Sequence, residues 1–327
     1  MDAFLDAARA LGREPRLVYV PHPTFDGRVV TVDRVEALRV RRGRPALAAP
    51  LWVVATTAHH ALAAARSGLS YDAWIGTTLA DEERGGTHGL RFSRRVAQGA
   101  NAIPLRRLER RVLRGARRLF ATSTWSRTTV AAAAGLPEDA IGILPLPVDV
   151  DDLTPEPDDR WRARLAQPVL AFVGRADDPR KNVRLLLDAL PLLPGARVRL
   201  IGDPPRGPLP PHVEATGRVD SIAEHLRTAT LCVLPARQEG FGIAAAEALA
   251  AGVPVVTTPS GGPEELVERS GGGRVLSGWS PEELAATCRE LLESPATLAE
   301  LRRQGRQYVV REHSRARLRE RLAELLD

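Results

Sequence analysis

Two carboxylates eight residues apart, Glu239 and Glu247, bracket the turn Gly240-Phe241-Gly242, which follows an apolar run and precedes a helical one. A strand that ends in a tight turn at a helix start offers unpaired backbone N–H groups and a positive dipole end, a setting for an anion. The flanking carboxylates can accept hydrogen bonds from vicinal hydroxyls, so the pattern suits a sugar phosphate. Upstream, Gly174 closes another apolar run, Arg175 follows it, and Lys181 precedes a helix opening near Asn182. A guanidinium fork and a mobile ammonium leaving one strand end together suit a diphosphate. Lys181 is also the single lysine among 46 basic residues, so a site needing a compact point charge explains it better than a generic basic position. Taken singly, each pair has a plainer reading: Glu239 as a helix cap with Glu247 on the surface, and Arg175 and Lys181 as solvated cations beside a turn.

Such residues need a scaffold that brings them together. Short apolar runs at 169–174, 197–202, 230–235 and 254–258 alternate with helical stretches near 182–190, 221–228, 242–251 and 263–269. That alternation predicts βαβ units and a parallel sheet. Leucines at helical spacing from Pro281 onward predict two or three terminal helices. The Pro- and Asp-rich segment 151–160 lacks apolar periodicity and marks a boundary, dividing the chain into domains 1–150 and 151–327. The first part alternates more loosely, with strands at 16–20, 28–32, 51–57, 71–78 and 119–123 and helices at 58–66 and within 104–119. A chain of 327 residues suits two α/β domains.

Composition narrows the classes further. Hydrophobic residues at 44% and charged residues at 26% exclude a disordered chain. Cys232 and Cys288 lack any CxxC spacing, so neither a zinc site nor a disulfide framework is indicated. Asp2 and Asp6 stand where a secretory leader would carry positive charge, which points to the cytoplasm. The uncharged stretch 45–65 holds Pro45, Pro50, His59 and His60 and reads as a strand and a helix rather than a membrane span. Gly240 to Ala245 formally matches GxGxxA, but it stands late in its domain and five residues past its strand, which tells against a dinucleotide oxidoreductase. Asp149-Val150-Asp151 matches a DxD metal pattern, yet it sits at the boundary and reads as turn chemistry. No metal ion or other cofactor is expected.

The two chemistry-bearing segments together resemble the donor-binding domain of glycosyltransferase family 4, the retaining nucleotide-sugar transferases of GT-B fold. The resemblance runs from about Leu105 to Asp327. It rests on Gly174-Arg175 followed by Lys181, on Glu239 and Glu247 enclosing Gly240-Phe241-Gly242, and on the turn Ser260 to Glu265. It implies two Rossmann-like domains whose parallel sheets face each other across a cleft, with C-terminal helices. It also implies transfer of a hexose from a UDP- or GDP-sugar to a hydroxyl acceptor, with retention. By the resemblance Arg175 and Lys181 hold the donor diphosphate, Glu239 with the Phe241 and Gly242 amides holds the transferred sugar, and Glu247 holds the ribose. Arg218 and Val219 fall in its base-contacting turn, and 143–157 in its interdomain hinge. As the diphosphate leaves it gains negative charge, which Arg175, Lys181 and aimed N–H groups stabilise while a phosphate oxygen takes the acceptor's proton. Acceptor-side candidates are Thr77 and Thr78, with Asp81 and Glu82 beside them. The rival expectation is a GT-B shell of weak or no catalysis that binds a nucleotide sugar or a partner, motivated by the irregular first domain.

Charge and the chain start add two expectations. Residues 1–150 carry a surplus of eight positive charges, and Arg106, Arg107, Arg110, Arg111, Arg114, Arg117 and Arg118 crowd one helical segment. With Leu105, Leu108, Val112, Ala116 and Leu119 opposite them, they suit peripheral contact with an anionic membrane that carries a lipid-linked acceptor; a solvated basic face is the plainer reading, and no nucleic-acid partner is expected. Residues 2–11 read as a helix leading to the strand at 16–20, and only PHPTFDG (21–27) offers a glycine turn. The chain therefore reads as opening inside a βαβ unit, with a first strand and Gly-rich loop missing.

Overall fold

The computed structural model describes residues 2–12, 18–19, 38–39, 51–55, 65, 70–81 and 92–326. They fall into two compact units, one of the described residues up to Pro145 together with Leu318 onward, the other chiefly Leu146–Arg317. The division thus falls at Pro145, ahead of the Pro- and Asp-rich segment, and the last helix ends in the first unit. The reason is packing: Leu318 and Leu322 are buried, and Arg118 Nη1 donates to the Leu325 carbonyl oxygen at 2.6 Å.

The second unit is built on a six-stranded parallel sheet. Its strands are β7 (Val169–Val173), β8 (Arg197–Ile201), β9 (Val213–Gly217), β10 (Leu231–Leu234), β11 (Val255–Thr257) and β12 (Gly273–Val275), in the spatial order β12-β11-β10-β7-β8-β9. Parallel strands covered on both faces read as continuous apolar runs. Alternation then sorts the side chains: Leu170, Phe172, Leu231 and Val233 enter one core with Trp161, Leu186 and Leu291, while Ala171, Cys232 and Leu234 enter the other with Leu226, Leu249 and Val309. Cys232 and Cys288 are free, buried thiols whose pKa values burial pushes up. The helices that cover the faces are α4 (Asp158–Arg164), α5 (Val183–Ala189), α6 (Ala223–Arg227), α7 (Ile243–Ala250), α8 (Gly262–Ser270), α9 (Pro281–Leu292), α10 (Pro295–His313) and the start of α11 (Arg315–Leu326). Arg306 on α10 binds three carbonyl oxygens, those of Val150, Leu153 and Ala250, so one cation ties the end of α7 to the segment entering this unit.

In the first unit, β3 (Leu51–Ala55), β4 (Tyr71–Ile75), β5 (Arg118–Ala121) and β6 (Ile141–Ile143) form a four-stranded parallel sheet, with β1 (Val18–Tyr19) and β2 (Leu38–Arg39) paired separately. The helix α1 (Asp2–Ala10) lies where the sequence predicts one. The strands expected at 51–57, 71–78 and 119–123 are present, whereas 21–27, 28–32, Glu82, His59 and His60 lie outside the described residues. The helix expected within 104–119 is α2 (Phe92–Gly115), which starts earlier and stops sooner. It stops because Arg117 and Arg118 leave it to grip the buried Asp72 of β4 at 2.7 and 2.8 Å, each arginine donating to both carboxylate oxygens. Burial pulls the Asp72 carboxyl upward, but hydrogen bonds from both arginines outweigh it and hold it below the usual range. The helix α3 (Thr124–Ala134) opens on a Ser123–Ser126 capping box.

One close approach in the second sheet is testable. A Cβ on Gly273 would strike the Val255 carbonyl oxygen across the β11–β12 ladder, whereas one on Gly278 would meet open space. Gly273→Ala is expected to lower the unfolding free energy by about 2 kcal/mol, read from urea midpoints, with Gly278→Ala as the unchanged control.

Candidate active site

Because every strand of the second sheet points the same way, the turns after β7, β8, β9, β10, β11 and β12 all leave at one edge. The turn after β7 starts at Gly174, whose φ of 141° belongs to glycine. Arg175 projects from it, and its Nη2 lies 2.6 Å from Asp178 Oδ2. Arg180 binds the same carboxylate at 2.9 Å. Burial pulls the Asp178 carboxyl upward, but the Arg180 hydrogen bonds and the charges of Arg180 and Arg175 win, leaving it below the usual range. Asp178 thereby shapes the turn that ends at Lys181, whose backbone N–H donates to the Asp178 carbonyl oxygen at 2.9 Å. Asn182 follows at φ 48° and donates from Nδ2 to the Pro235 carbonyl oxygen at 3.1 Å, fastening this turn to the one after β10.

The β10 turn carries Glu239, and the Lys181 ammonium makes an ion pair with its carboxylate, both side chains about a quarter exposed at 26%. Glu239 is held by its backbone: its N–H donates to the Ser260 carbonyl oxygen at 2.8 Å and its own carbonyl oxygen accepts from Gly262 at 2.9 Å. The turn Ser260 to Glu265 thus continues the sheet beside Glu239 and then opens α8, with Pro263 in the first turn and Glu264 accepting from the Gly261 N–H. Gly240 and Phe241 are buried, and Gly242 at φ 83° precedes α7, where a Cβ would run into the Pro263 ring. The Phe241 ring lies 5.4 Å from that of His313 at the end of α10.

Glu247 sits in the second turn of α7, and burial pushes its carboxyl up to about 7. At the far side of the sheet Arg218 and Val219 follow β9. Arg218 grips Asp203 after β8 with both arms, at 2.8 and 3.0 Å, which lowers the Asp203 carboxyl. Arg175, Lys181, Glu239, Gly240, Phe241, Gly242, Arg218 and Val219 therefore all stand on the turns at the strand-end edge, with Glu247 in the second helical turn beyond it. Asp178 and Ser260 support them from within the segments the sequence singles out, whereas Asp203 and His313 carry no short-range signal, because their partners Arg218 and Phe241 are distant along the chain.

The acceptor-side candidates stand in the first unit and are closed in. Thr77 and Thr78 are 6% and 1% exposed, Thr78 donates to Asp81 at 2.6 Å, and Glu109 accepts from the Leu79 N–H. That is the chemistry of a helix start. Asp149 pairs with Arg315 at 3.0 Å and accepts from the Asp152 N–H, and among the described residues no cluster of His, Cys, Asp or Glu is suited to a metal ion.

Two parallel-sheet α/β units with a cationic, carboxylate-flanked strand edge define a nucleotide-sugar glycosyltransferase of GT-B fold. Residues 167–294 match the family model for group 1 glycosyl transferases. A GDP-mannose-dependent alpha-(1-6)-phosphatidylinositol monomannoside mannosyltransferase of Mycobacterium tuberculosis is 30% identical over 99% of this chain and 86% of its own length. The D-inositol 3-phosphate glycosyltransferase of Segniliparus rotundus is 28% identical over 64% of this chain and 52% of its own. HepE of Anabaena, solved with UDP, superposes over 84% of this chain and 78% of its own with a TM-score of 0.69 at 21% identity. A glycosyltransferase of Rickettsia africae does so over 99% and 93% with a TM-score of 0.69 at 14% identity. The chain belongs to glycosyltransferase family 4 and is a retaining hexosyltransferase that uses a nucleotide sugar. A GT-B shell without transfer is not favoured.

The raised Glu247 carboxyl has a measurable consequence in the unliganded protein. Its folded value, about 7, lies above the ordinary 4.5, so the stability it lends is fully present below pH 4.5 and is lost as pH rises through 7. Glu247→Gln is therefore expected to raise the melting temperature at pH 8 and to leave it nearly unchanged at pH 4.5, by calorimetry.

Proposed function

We propose that the protein transfers mannose from GDP-mannose to a hydroxyl of an inositol-containing glycolipid. The carrying observation is the likeness to the phosphatidylinositol monomannoside mannosyltransferase along 99% of the chain. On this reading Arg175 and Lys181 bind the diphosphate, Glu239 and the Phe241 and Gly242 amides bind the mannose, Glu247 binds the ribose, and Arg218 with Val219 borders the base. The ion pair between Lys181 and Glu239 is then a placeholder: the diphosphate takes the ammonium and the mannose hydroxyls take the carboxylate, so neither charge is left uncompensated. The departing phosphate is stabilised by preorganised positive charge and requires no metal ion.

The lipid end of the proposal rests on α2. Ile103 is 57% exposed and Leu105 36%, next to exposed Arg106, Arg107, Arg110, Arg111 and Arg114. Apolar side chains rimmed by cations suit an anionic lipid surface. Among the described residues no helix is long and apolar enough to cross a membrane. A cytoplasmic protein working at the inner face of a membrane fits these features.

The reading is tested with labelled GDP-mannose and UDP-glucose over vesicles that contain phosphatidylinositol and its monomannoside. Mannose is expected in the lipid fraction, with EDTA present, and the protein is expected to sediment with anionic vesicles at low salt and not with neutral ones. Glucose incorporation in place of mannose overturns the donor, and equal sedimentation overturns the membrane surface. Lys181→Arg is expected to cut turnover about 10²-fold although charge is kept, since a planar fork cannot follow the mobile ammonium; an unchanged kcat tells against the role of Lys181.

A further inference from the structure

Trp279 stands on the turn between β12 and α9 and is 41% exposed. An exposed indole in a chain with only 4% aromatic residues calls for an account. This one is not loose. Its Nε1 donates to the Ala236 carbonyl oxygen at 3.1 Å, three residues before Glu239, and the Arg237 guanidinium lies 6.0 Å from its ring centroid. Arg237 is itself fastened, its N–H donating to the Arg180 carbonyl oxygen at 2.8 Å. The indole is therefore fixed to the same turn that carries Glu239, with its remaining surface open to solvent.

Strand order says what that surface faces. The donor candidates run along the sheet edge from Arg218 and Val219 after β9, through Arg175 and Lys181 after β7, to Glu239 after β10 and the Ser260 turn after β11. The turn after β12 is the next in line. With the base at the β9 end and the hexose over β10 and β11, Trp279 lies beyond the hexose, on the side away from the nucleotide. An open, rigidly held indole with an adjoining guanidinium presents an apolar face to the C–H groups of a sugar ring and donors to its hydroxyls.

Resting on the reading of these turns as the donor site, we propose that Trp279 with Arg237 forms a platform for a pyranose ring of the acceptor. The occupant is a neutral sugar, held by stacking on the indole with the guanidinium at its hydroxyls.

The probe is methyl α-D-mannopyranoside, titrated by saturation-transfer NMR against the full chain with GDP saturating. Trp279→Ala is expected to weaken its binding about tenfold and Trp279→Phe to restore most of it, with GDP affinity unchanged in both. GDP binding also reports that each variant is folded. Equal affinity for the mannoside in wild type and Trp279→Ala overturns the platform, as does a loss of GDP affinity, which would assign the indole to the nucleotide. Loss in Glu239→Gln with retention in Trp279→Ala overturns it too, since the mannoside would then occupy the donor-sugar position. If GDP does not bind while UDP does, the donor reading fails and the same titration run with UDP decides the platform separately.

Discussion

Parallel pairing of β7 with β10 is the constraint on which the site depends. Their turns lie some sixty residues apart in sequence, yet adjacent strands running the same way must release them at one edge, and this brings Lys181 and Glu239 into contact. Sheets of this kind are covered on both faces, so the polar residues that bind ligands collect at the strand ends, where backbone N–H groups and side chains are free to meet them. The two cores fix the strands, and the strands fix the turns.

What the edge then holds is a balanced set of charges. Asp178 gathers Arg175 and Arg180, Asp203 gathers Arg218, and Glu239 takes Lys181. Each of these four cations has an acidic partner in the same set of turns. Glu247 is the exception, a carboxyl in an apolar helix of alanines, and its raised pKa is the measure of that isolation. On the proposed reading, preorganised charge favours a departing phosphate only if it is held in place beforehand, and these carboxylates hold the cations at the edge.

The legible parts of the site were those whose meaning is local. A glycine between two acids at fixed spacing, or a lysine in a chain of arginines, can be read without knowing the fold. Asp203, Trp279 and His313 could not, because each acquires its role from a residue on another strand or helix: Arg218, the Ala236 carbonyl and Phe241. The sheets themselves were visible in the alternation of apolar runs and helices. The end of α2 was not, since Arg117 and Arg118 continue the basic pattern of the helix and only the buried Asp72, more than forty residues earlier, draws them out of it. Thr77 and Thr78 show how little a strand-end position says by itself: only the structure reveals that Asp81 accepts from the Thr78 hydroxyl and Glu109 from the Leu79 N–H.

The return of Leu318 and its successors to the first unit adds a covalent crossing at Arg317–Leu318 to the one at Pro145–Leu146. The modules are consequently not beads on a string. A cut after Pro145 would free the second module from its leading segment but leave it still carrying a piece of the other's core, the buried Leu318 and Leu322. Exchange of donor modules between such enzymes, whether by recombination or by hand, must therefore take two junctions as its unit, with the final helix travelling with the module it packs on and not with the one it follows.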